Sequence, residues 1–454
     1  MLKARASEIA RWIGGELSGT DAWVEGVGCD SRTILPGQLF VALVGAKSDG
    51  HEFAAEASSR GAAAVLAERR VGGCATLILH RQPKLALGLL ARAWRERMGC
   101  EVIGVAGSSG KTTVKELIAR ILSIRHPTHA SQGNLNTEVG LPLVICNAPA
   151  ECRLLVLEMG ERLPGDVAWL AWIGRPQVGV ITNIGPAHLQ FLGSIDAVAD
   201  TLAALPAALP AAGVAVLPAE DPFLDRLLRD CVARERLRFG LSSDAEVRAE
   251  VLSLSAEGSR FRLVSPFGTT EIGLPLAGLH NVRNATAAAA AALAAGARIE
   301  DCAQGLERAE PVSGRLRAHR LSGGVLLIDD SYNANPASVA AAIETLALSP
   351  PPRFLVLGDM AELGEASSEA HRSVGRLARD RGIEQLFALG AKAADAARAF
   401  GRGGRAFSDL ETLVEALKAE LRTGSTVLVK GSRASAMERV IAALSAPEEG
   451  RHVA

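Results

Sequence analysis

The chain of 454 residues has no excess of charge of either sign, since 49 lysines and arginines stand against 50 aspartates and glutamates. A net charge of −1 provides no global field for nucleic acid or an anionic membrane surface. We therefore expect no nucleic-acid partner, and an anionic ligand has to be held by a local site. Hydrophobic residues make up 48% of the chain, which is typical of folded domains and argues against long disordered segments.

Paired cysteines and long apolar runs are also missing. None of the seven cysteines belongs to a C-x-x-C pair, which argues against a zinc site or a disulfide framework and favours a reducing compartment. The N-terminal MLKARASEIARWIGGE has no continuous apolar core and no cleavage site, so we do not interpret it as a signal peptide. The alanine-rich run at 285–295 is too short to cross a bilayer and predicts a packed helix. These absences predict a cytoplasmic protein without membrane insertion.

Three segments of different texture predict three α/β domains, at 1–84, 85–314 and 315–454. Short runs that are apolar on both faces alternate with helical stretches in the second and third segments, which indicates mostly parallel sheets. The third segment is interpreted as a smaller, doubly wound unit. The predicted strands are Leu39–Val44, Ala63–Leu66 and Thr76–Leu79, then Val102–Ala106, Leu154–Leu157 and Val178–Ile181, then Val325–Ile328, Phe354–Leu357, Leu386–Leu389 and Val427–Val429.

A phosphate-binding loop is the clearest functional motif. Residues 104–112, GVAGSSGKT, fit the pattern G-x-x-x-x-G-K-[ST] and stand between a buried strand and an amphipathic helix from Thr112. The glycines let backbone amides surround phosphate oxygens, and the helix N-terminus points at the same anion. Lys111 can reach the outer phosphates of ATP, and the Thr112 hydroxyl can bind Mg²⁺. The strand and helix on either side argue against the alternative, a glycine-rich turn that fits by chance.

Two polar residues at later strand ends are candidates for the same site. Glu158 ends the run Arg153–Glu158, which contains the predicted strand Leu154–Leu157, and His188 follows the strand Val178–Ile181. Ligands of open parallel sheets collect at the carboxyl ends of strands, so Lys111, Glu158 and His188 are expected to converge. A carboxylate in that place can bind Mg²⁺. The spacing alone leaves open that Glu158 is a solvated acid at a strand end and that His188 is structural.

Blocks of sequence along nearly the whole chain resemble the Mur ligase family. The first segment contributes Asp30–Arg32, Pro36–Leu43 and Asp49–His51. The second contributes Asn134–Pro142, Leu157–Gly160, His188, His280–Asn284 and Gly314–Arg315. The third contributes Asp329–Pro336, Leu357–Gly364 with His371, and Val429–Arg433. Each block alone could arise by chance, and their common order and spacing make the resemblance specific.

The resemblance implies a fold, a reaction and its reactants. The fold would be a small α/β domain that binds a UDP-linked substrate, a central P-loop ATPase-like domain with a mostly parallel sheet, and a C-terminal Rossmann-like α/β domain. The reaction would be ATP- and Mg²⁺-dependent ligation of D-alanyl-D-alanine to UDP-N-acetylmuramoyl-tripeptide through an acyl phosphate, which forms the pentapeptide precursor of peptidoglycan. Domain closure about a hinge near Gly314 would shield the acyl phosphate from water. The expected partners are these two small molecules, and a monomer is expected.

The resemblance also implies roles for individual residues, with Lys111, Glu158, His188, Lys430 and Arg433 as the candidate catalytic set. It assigns ATP to Gly107, Ser108, Ser109, Gly110, Lys111, Thr112, Thr113, Asn281, Asn284, Arg315 and Asp330, and Mg²⁺ to Thr112, Glu158 and His188. It assigns UDP to Ser31 and Arg32, the muramoyl-peptide to Asn134, Asn136 and Thr137, the incoming dipeptide to Lys430 and Arg433, and a substrate contact to Asn333. Helix capping stays open for Asn281 and Asn284, as does a solvated strand end for Lys430 and Arg433.

The sequence departs from the family at one position of the metal site. Members usually carry a lysine about fourteen residues after the histidine, carbamylated so that it acts as an acid near a second Mg²⁺. The corresponding residue is Leu202, and no lysine occurs between Lys115 and Lys392. Loss of an anion beside a dication weakens metal binding unless another acid or a water replaces it. We predict that Asp196 or Asp200 helps to hold the second metal, and that activity does not need bicarbonate.

Two other interpretations stay open. One is a related ligase with another acceptor, such as the enzyme that adds the third peptide residue or a folylpolyglutamate synthase. The blocks Asp330–Pro336 and Leu357–Gly364 argue against both. The other is a nucleotide-binding protein with weak activity or none, which only Leu202 motivates.

Overall fold

The computed structural model describes residues 1–45 and 47–446. In this part of the chain, three larger sheets follow one another along the sequence, each with helices packed against it. The described helices include none that is both long enough and apolar enough to cross a bilayer.

The N-terminal sheet is covered on both faces. Its strands run in the order β2-β7-β6-β5-β4, with β2 antiparallel to β7 and the others parallel, while β1 and β3 pair separately. Val41 and Leu66 pack into one core and Phe40 and Val65 into another, because neighbouring strand residues point to opposite faces. The elements are β1 (Lys3–Arg5), α1 (Ala6–Ile13), β2 (Glu16–Gly19), β3 (Trp23–Glu25), β4 (Val27–Gly28), β5 (Leu39–Val41), α2 (Ala54–Ser59), β6 (Ala64–Ala67) and β7 (Thr76–Leu79).

The central sheet contains both parallel and antiparallel strands. Its first elements are α3 (Pro83–Arg95), β8 (Glu101–Ala106), α4 (Lys111–Leu122), β9 (Thr128–Ala130), α5 (Gly140–Asn147), β10 (Leu154–Glu158), α6 (Asp166–Gly174), β11 (Val178–Ile181), α7 (Leu189–Leu192) and α8 (Ile195–Ala207). They are followed by β12 (Val214–Pro218), α9 (Leu224–Leu228), β13 (Glu235–Gly240), β14 (Val247–Leu254), β15 (Ser259–Ser265), β16 (Gly268–Leu274), α10 (Leu279–Ala294) and α11 (Ile299–Glu307). The strand order is β16-β15-β14-β13-β12-β11-β8-β10-β9, parallel from β9 to β14 and antiparallel from β14 to β16.

Strand β8 lies inside the central sheet, and later strands of the sequence are added on both sides of it. Strands β10 and β9 lie on one side of it and β11 to β13 on the other. Ile103 and Val105 of β8 pack into the core that contains α4 and α10, and Val102 and Ala106 face the opposite core. The loop after β8 therefore lies at a topological switch point, where α/β sheets leave a crevice for ligands.

The C-terminal sheet is mainly parallel. Its order is β17-β18-β22-β19-β20-β21, with only β17 antiparallel to its neighbour among the described strands. The ends of β18 and β22 stand side by side in register, which matters for the site below. The elements are β17 (Arg317–Arg320), β18 (Leu326–Asp330), α12 (Pro336–Leu346), β19 (Arg353–Gly358), α13 (Ser367–Asp380), β20 (Gln385–Leu389), α14 (Ala394–Phe400), β21 (Gly404–Phe407), α15 (Leu410–Glu420), β22 (Thr426–Lys430) and α16 (Glu438–Ser445).

The α/β fold class and the predicted strands are confirmed, with one boundary wrong by three residues. Strand β5 ends at Val41 and not at Val44, because Val44 forms an isolated bridge with Asp49. The alanine-rich run lies in the packed helix α10, as predicted. The antiparallel strands β14 to β16 do not follow the predicted pattern of continuous apolar runs, because exposed residues interrupt each of them.

Candidate functional site

The loop between β8 and α4 has a backbone conformation with positive φ angles at two of its glycines. Gly107 (φ 139°) and Gly110 (φ 78°) lie in the region that favours glycine. A Cβ atom on Gly107 would lie 2.0 Å from the Thr182 hydroxyl oxygen, and one on Gly110 would lie 2.5 Å from Asn284 Oδ1. Both positions therefore require glycine, and the loop leads directly into the N-terminus of α4.

The segment after β11 holds this loop from the side. The Ser108 amide donates to the Asn183 carbonyl, and the Ser108 hydroxyl donates to the Gly185 carbonyl. The Ser109 hydroxyl donates to Asn183 Oδ1, and the Thr182 hydroxyl donates to the Ser109 carbonyl. These bonds keep the loop in one conformation, so its amides are preorganised to bind an anion.

Lys111 is paired with an acid that the sequence analysis did not single out. Its ammonium donates to the Gly107 carbonyl and, over 2.9 Å, to Glu161 Oε1. Burial raises the pKa of the Glu161 carboxyl, and the positive charge of Lys111 opposes that rise. Glu161 follows Glu158 by three residues and lies beyond the end of β10, where no motif would identify it.

The residues expected to bind Mg²⁺ line one cavity of about 670 Å³, here called the charged cavity. Glu158 is 3% exposed, and its Oε1 accepts a hydrogen bond from Asn136 Nδ2 at 2.7 Å. Glu158 Oε2 has no hydrogen-bond partner. A buried carboxylate oxygen without a partner fits a cation, since carboxylate oxygens are ligands that Mg²⁺ prefers. The members of this cavity that enter the argument are Lys111, Thr112, Glu158, Glu161, His188 and Glu362.

Protein side chains do not complete a metal site by themselves. Across residues 1–45 and 47–446, no three histidines, cysteines, aspartates or glutamates cluster closely enough to hold an ion. Thr112 Oγ1 lies at the start of α4 and accepts a hydrogen bond from the Arg315 guanidinium at 3.3 Å. A cation held here therefore needs ligands from a bound phosphate or water, as is usual for Mg²⁺ in nucleotide sites.

His188 contacts the C-terminal part of the chain through Glu362, which the sequence analysis named only as part of a block. His188 Nδ1 lies 2.5 Å from Glu362 Oε2, and the Gln190 amide donates to the Glu362 carbonyl. His188 (φ 53°) and Glu362 (φ 60°) both adopt the left-handed conformation although neither is glycine. Such strain, about 1–3 kcal/mol each, persists where the surrounding structure fixes it and is frequent at functional sites.

A second cavity, of about 400 Å³ and here called the apolar cavity, lies on the other side of the phosphate loop. Its walls include Phe239, Leu276 and Val312. Thr113, Asn281, Asn284 and Asp330 also line it. The apolar and charged cavities share Ser109, Gly110, Arg315, Ser338 and Lys430. The loop thus lies between two clefts, and the apolar cavity owes its name to its more apolar wall, although charged residues such as Glu220, Asp221 and Arg283 also line it.

Asn281 and Asn284 lie in the apolar cavity and do not cap a helix. The N-cap of α10 is Gly278, without a side-chain hydrogen bond. Asn281 Nδ2 donates to the Ala277 carbonyl, and Asn284 Nδ2 donates to Asn281 Oδ1. The capping alternative is therefore wrong. Burial, followed by the charges of Lys430 and Arg283, lowers the pKa of the neighbouring His280 to about 4.

Asp330 and Lys430 form a buried ion pair at the paired ends of β18 and β22. The Lys430 ammonium lies 2.6 Å from Asp330 Oδ2 and also donates to the Asn333 carbonyl. Burial raises the pKa of Asp330 and lowers the pKa of Lys430, and their mutual attraction opposes both shifts. Lys430 is only 3% exposed, so the solvated strand end is wrong for this residue. Arg315 stacks on the Tyr332 ring at 4.4 Å.

The residues expected to contact substrates separate into two places. Asn134, Asn136, Thr137, Asn333 and Arg433 line the charged cavity. The Arg433 guanidinium is largely exposed at its edge and pairs with Glu438. Ser31 and Arg32 line neither cavity. Ser31 donates to Glu56, and Arg32 pairs with Asp30 in the N-terminal domain.

The prediction that Asp196 or Asp200 replaces the family's acid is wrong. Both carboxylates pair with Arg226, are 65% and 61% exposed, and line neither cavity. Leu202 is fully buried in an apolar core with Val198. Helix α8 therefore turns its two acids to solvent and its apolar side to the core, so it brings no charge to the site.

Family models, a relative in sequence and two solved structures all relate this chain to the same family. Three Mur ligase family models match: the catalytic domain at residues 24–95, the middle domain at 105–292, and the glutamate ligase domain at 314–433. The chain is 36% identical to UDP-N-acetylmuramoyl-tripeptide--D-alanyl-D-alanine ligase of Escherichia coli strain K12, over 98% of this chain and 99% of the relative. Its structure resembles MurF of Acinetobacter baumannii with a TM-score of 0.93, 32% identity and coverage of 98% and 99%. It also resembles MurF ligase of Thermotoga maritima in complex with ADP, with a TM-score of 0.84, 29% identity and coverage of 93% and 97%.

Proposed function

The chain belongs to the Mur ligase family, and from this premise we propose that it joins D-alanyl-D-alanine to UDP-N-acetylmuramoyl-tripeptide at the expense of ATP. It is an ATP-dependent ligase that forms a carbon–nitrogen bond. The observation that carries the proposal is the phosphate loop between two connected cavities, one apolar and one charged. Relatives that match over nearly the whole length carry this ligase name, which disfavours another acceptor or an inactive protein.

ATP would bind across the phosphate loop. The base would occupy the apolar cavity beside Asn281 and Asn284, and the phosphates would lie against residues 107–113. Lys111 would turn from Glu161 to the outer phosphates, and Arg315 would approach them from the C-terminal domain. Oriented amides and cations of this kind stabilise the charge of the transferring phosphoryl group.

The reaction has two chemical steps. A carboxylate oxygen of the tripeptide attacks the γ-phosphorus, the bond to the bridging oxygen breaks, and ADP leaves with that electron pair. The amine of the dipeptide then attacks the carbonyl carbon of the acyl phosphate, phosphate leaves, and the nitrogen loses a proton. Lys111, Arg315, Lys430 and Arg433 supply the positive charge that steadies the anionic oxygens in both steps. The contact between His188 and Glu362 would help to close the charged cavity, and so to limit the access of water to the acyl phosphate.

Mg²⁺ fits the charged cavity because Glu158 offers a buried carboxylate oxygen without a partner. Thr112, Glu158 and His188 would hold it together with the nucleotide. When bound, the ion would neutralise phosphate charge that the cations of the protein leave unbalanced.

The substrates would approach from different domains. We propose that Ser31 and Arg32 contact UDP, that Asn134, Asn136 and Thr137 line the path of the muramoyl-peptide, and that Asn333, Lys430 and Arg433 receive the dipeptide. The division into 1–84, 85–314 and 315–454, a monomeric state and a cytoplasmic location complete the proposal. All seven cysteines are free, which supports a reducing compartment. Synthesis of peptidoglycan would connect the enzyme to cell shape and division.

The decisive experiment is mass spectrometry of the product formed from UDP-N-acetylmuramoyl-tripeptide, ATP and D-alanyl-D-alanine. We expect a product larger by one dipeptide residue, with phosphate released only when both substrates are present. Lys111→Ala should lower the rate by about 10²–10³-fold, because one donor to the transferring phosphoryl group is lost. The matched control Lys418→Ala, on the exposed face of α15, should leave the rate unchanged. Ligation of D-alanine, diaminopimelate or glutamate instead of the dipeptide would contradict the proposal.

A further inference from the structure

Two buried acids stand three residues apart in the charged cavity. Glu158 Oε2 has no hydrogen-bond partner, and both oxygens of Glu161 depend on the Lys111 ammonium, which lies 2.9 Å from each. The two residues are 3% and 2% exposed. Buried polar atoms nearly always have partners, so the free oxygen of Glu158, beside a second acid that is held by one lysine, indicates that a ligand is to be bound there.

The charge of Glu161 is balanced in this structure by Lys111, at 2.9 Å. That balance conflicts with nucleotide binding, because the same ammonium has to turn to the phosphates of ATP. A buried carboxylate that loses its cation is strongly destabilised, and Glu161 would also face the incoming phosphate anions. A divalent cation that arrives with the nucleotide removes both costs.

From this geometry we propose that Glu161 is a ligand, directly or through one water, of a divalent cation that binds with the nucleotide beside Glu158. The inference rests on the proposed function, since it concerns the same site, and it adds a residue that the family resemblance does not assign. Nucleotide binding would then exchange partners: Lys111 passes from Glu161 to phosphate, and Glu161 passes from Lys111 to the cation.

The surroundings of Glu161 agree with this role. The residue stands beyond the end of β10, on the same segment as Glu158, and both acids line the cavity that His188 also lines. The resemblance predicts an anion from α8 at the position of Leu202, but that side chain is buried among apolar residues. Glu161 supplies the missing negative charge from a different element. No carbamylated lysine is then needed.

Binding of Mn²⁺ tests the proposal, because its free ion is counted directly by electron paramagnetic resonance. The intact protein is titrated with Mn²⁺ in the presence of a non-hydrolysable ATP analogue, and analogue affinity is measured separately without metal. Glu161→Gln keeps the shape of the side chain and removes its charge. We expect it to weaken Mn²⁺ binding by about ten-fold or more, the range found when metal-site residues are changed.

Asp200→Asn is the matched control, because it removes one exposed carboxylate of α8, 61% exposed. It should leave Mn²⁺ affinity unchanged. Glu161→Asp retains the charge on a shorter side chain and should bind Mn²⁺ more weakly than the wild type but more tightly than Glu161→Gln. Thermal unfolding in EDTA measures the stability of each variant without metal. A ranking of Mn²⁺ affinities that differs from the ranking of stabilities therefore tests the proposal even if Glu161→Gln is less stable.

The competing role is a simple counter-ion for Lys111 in the nucleotide-free protein. In that case Glu161→Gln would bind the ATP analogue more tightly and leave Mn²⁺ affinity equal to that of the wild type, which would overturn the inference. Mn²⁺ affinity would also stay unchanged if the Glu161 carboxyl were neutral in the complex with the ATP analogue, and this too would overturn the inference. Failure of the wild type to bind the analogue at all would overturn the proposed function as well, so the two failures are distinguishable.

Discussion

At the scale of single residues, the site depends on glycines, which have no side chain, as much as on charged and polar residues. Gly110 has φ 78°, and a Cβ there would lie 2.5 Å from Asn284 Oδ1. The apolar cavity and the phosphate loop therefore meet at this one glycine. The adjoining Lys111 begins α4, so any shift of the loop also moves the lysine.

We expect Gly110→Ala to weaken nucleotide binding strongly. The left-handed conformation costs an alanine about 1–2 kcal/mol, and the contact with Asn284 adds to this. Gly424→Ala is the control, since Gly424 has φ 83° and a Cβ added there would meet nothing within 4 Å. It should show the strain in urea unfolding but keep wild-type affinity in calorimetric titration with ADP. Equal affinities of the two variants would contradict the close approach of the loop to Asn284.

His280 provides a prediction for pH, because burial, Lys430 and Arg283 lower its pKa to about 4. The unfolded chain has a histidine pKa near 6.5, so between about pH 6.5 and 4 the unfolded state binds more protons. The free energy of unfolding should therefore fall as the pH falls through this window, by at most about 1.4 kcal/mol per pH unit from this residue. His280→Gln should remove that contribution.

Urea unfolding at pH 7, 6 and 5 measures this effect. The exposed His126 serves as the comparison, and His126→Gln should keep the wild-type dependence on pH. Identical slopes for the wild type and the His280→Gln variant would count against a His280 whose pKa is lowered by its surroundings.

At the scale of elements, helix α8 explains how this chain departs from its family. Its acids pair with Arg226 at the surface, while Leu202 packs inward. Carbamylation requires a neutral lysine amine near the metal. In the part of the chain that the structure describes, the lysines that line either cavity are Lys111 and Lys430, and each is held in an ion pair.

We therefore expect ligase activity to be independent of bicarbonate. Enzyme dialysed in degassed buffer should release phosphate at the same rate before and after bicarbonate is added, because no side chain of the site needs carbon dioxide. A gain on addition, reversed by renewed degassing, would mean that a lysine of the cavity is modified after all.

At the scale of the whole molecule, the site is assembled by two domains. Arg315 donates to Thr112 of the phosphate loop, and Glu362 contacts His188. A nucleotide bound between these groups should stabilise both domains together. The ligand binds only when the groups of both domains are in place, so it stabilises that folded state.

Hydrogen exchange with and without ADP tests this coupling. We expect slower exchange in α4 and also at the ends of β18 and β22. In Arg315→Ala the protection should stay in α4 and be lost in the C-terminal sheet, because the link to the loop is removed. Arg439→Ala, an exposed arginine of α16, should behave as the wild type. Protection confined to the central domain in the wild type would contradict assembly of the site by two domains.

The sequence by itself determined the local features of this protein. Continuous apolar runs identified ten of the 22 described strands, because a buried parallel strand is apolar on both faces. The glycines and lysine of residues 104–112 identified the phosphate loop, because that function needs a particular backbone and charge within nine consecutive residues. The placement of Glu158 and His188 beside Lys111 in one cavity followed from the rule for strand ends.

Only the tertiary structure decided which distant side chains share an environment. It turned Asp196 and Asp200 to solvent, buried Leu202, and brought Glu161 to Lys111 and Glu362 to His188. Whether an acid is a surface charge or a ligand depends on its burial and on neighbours far along the chain. Those are properties of packing, and a local pattern of residues does not contain them.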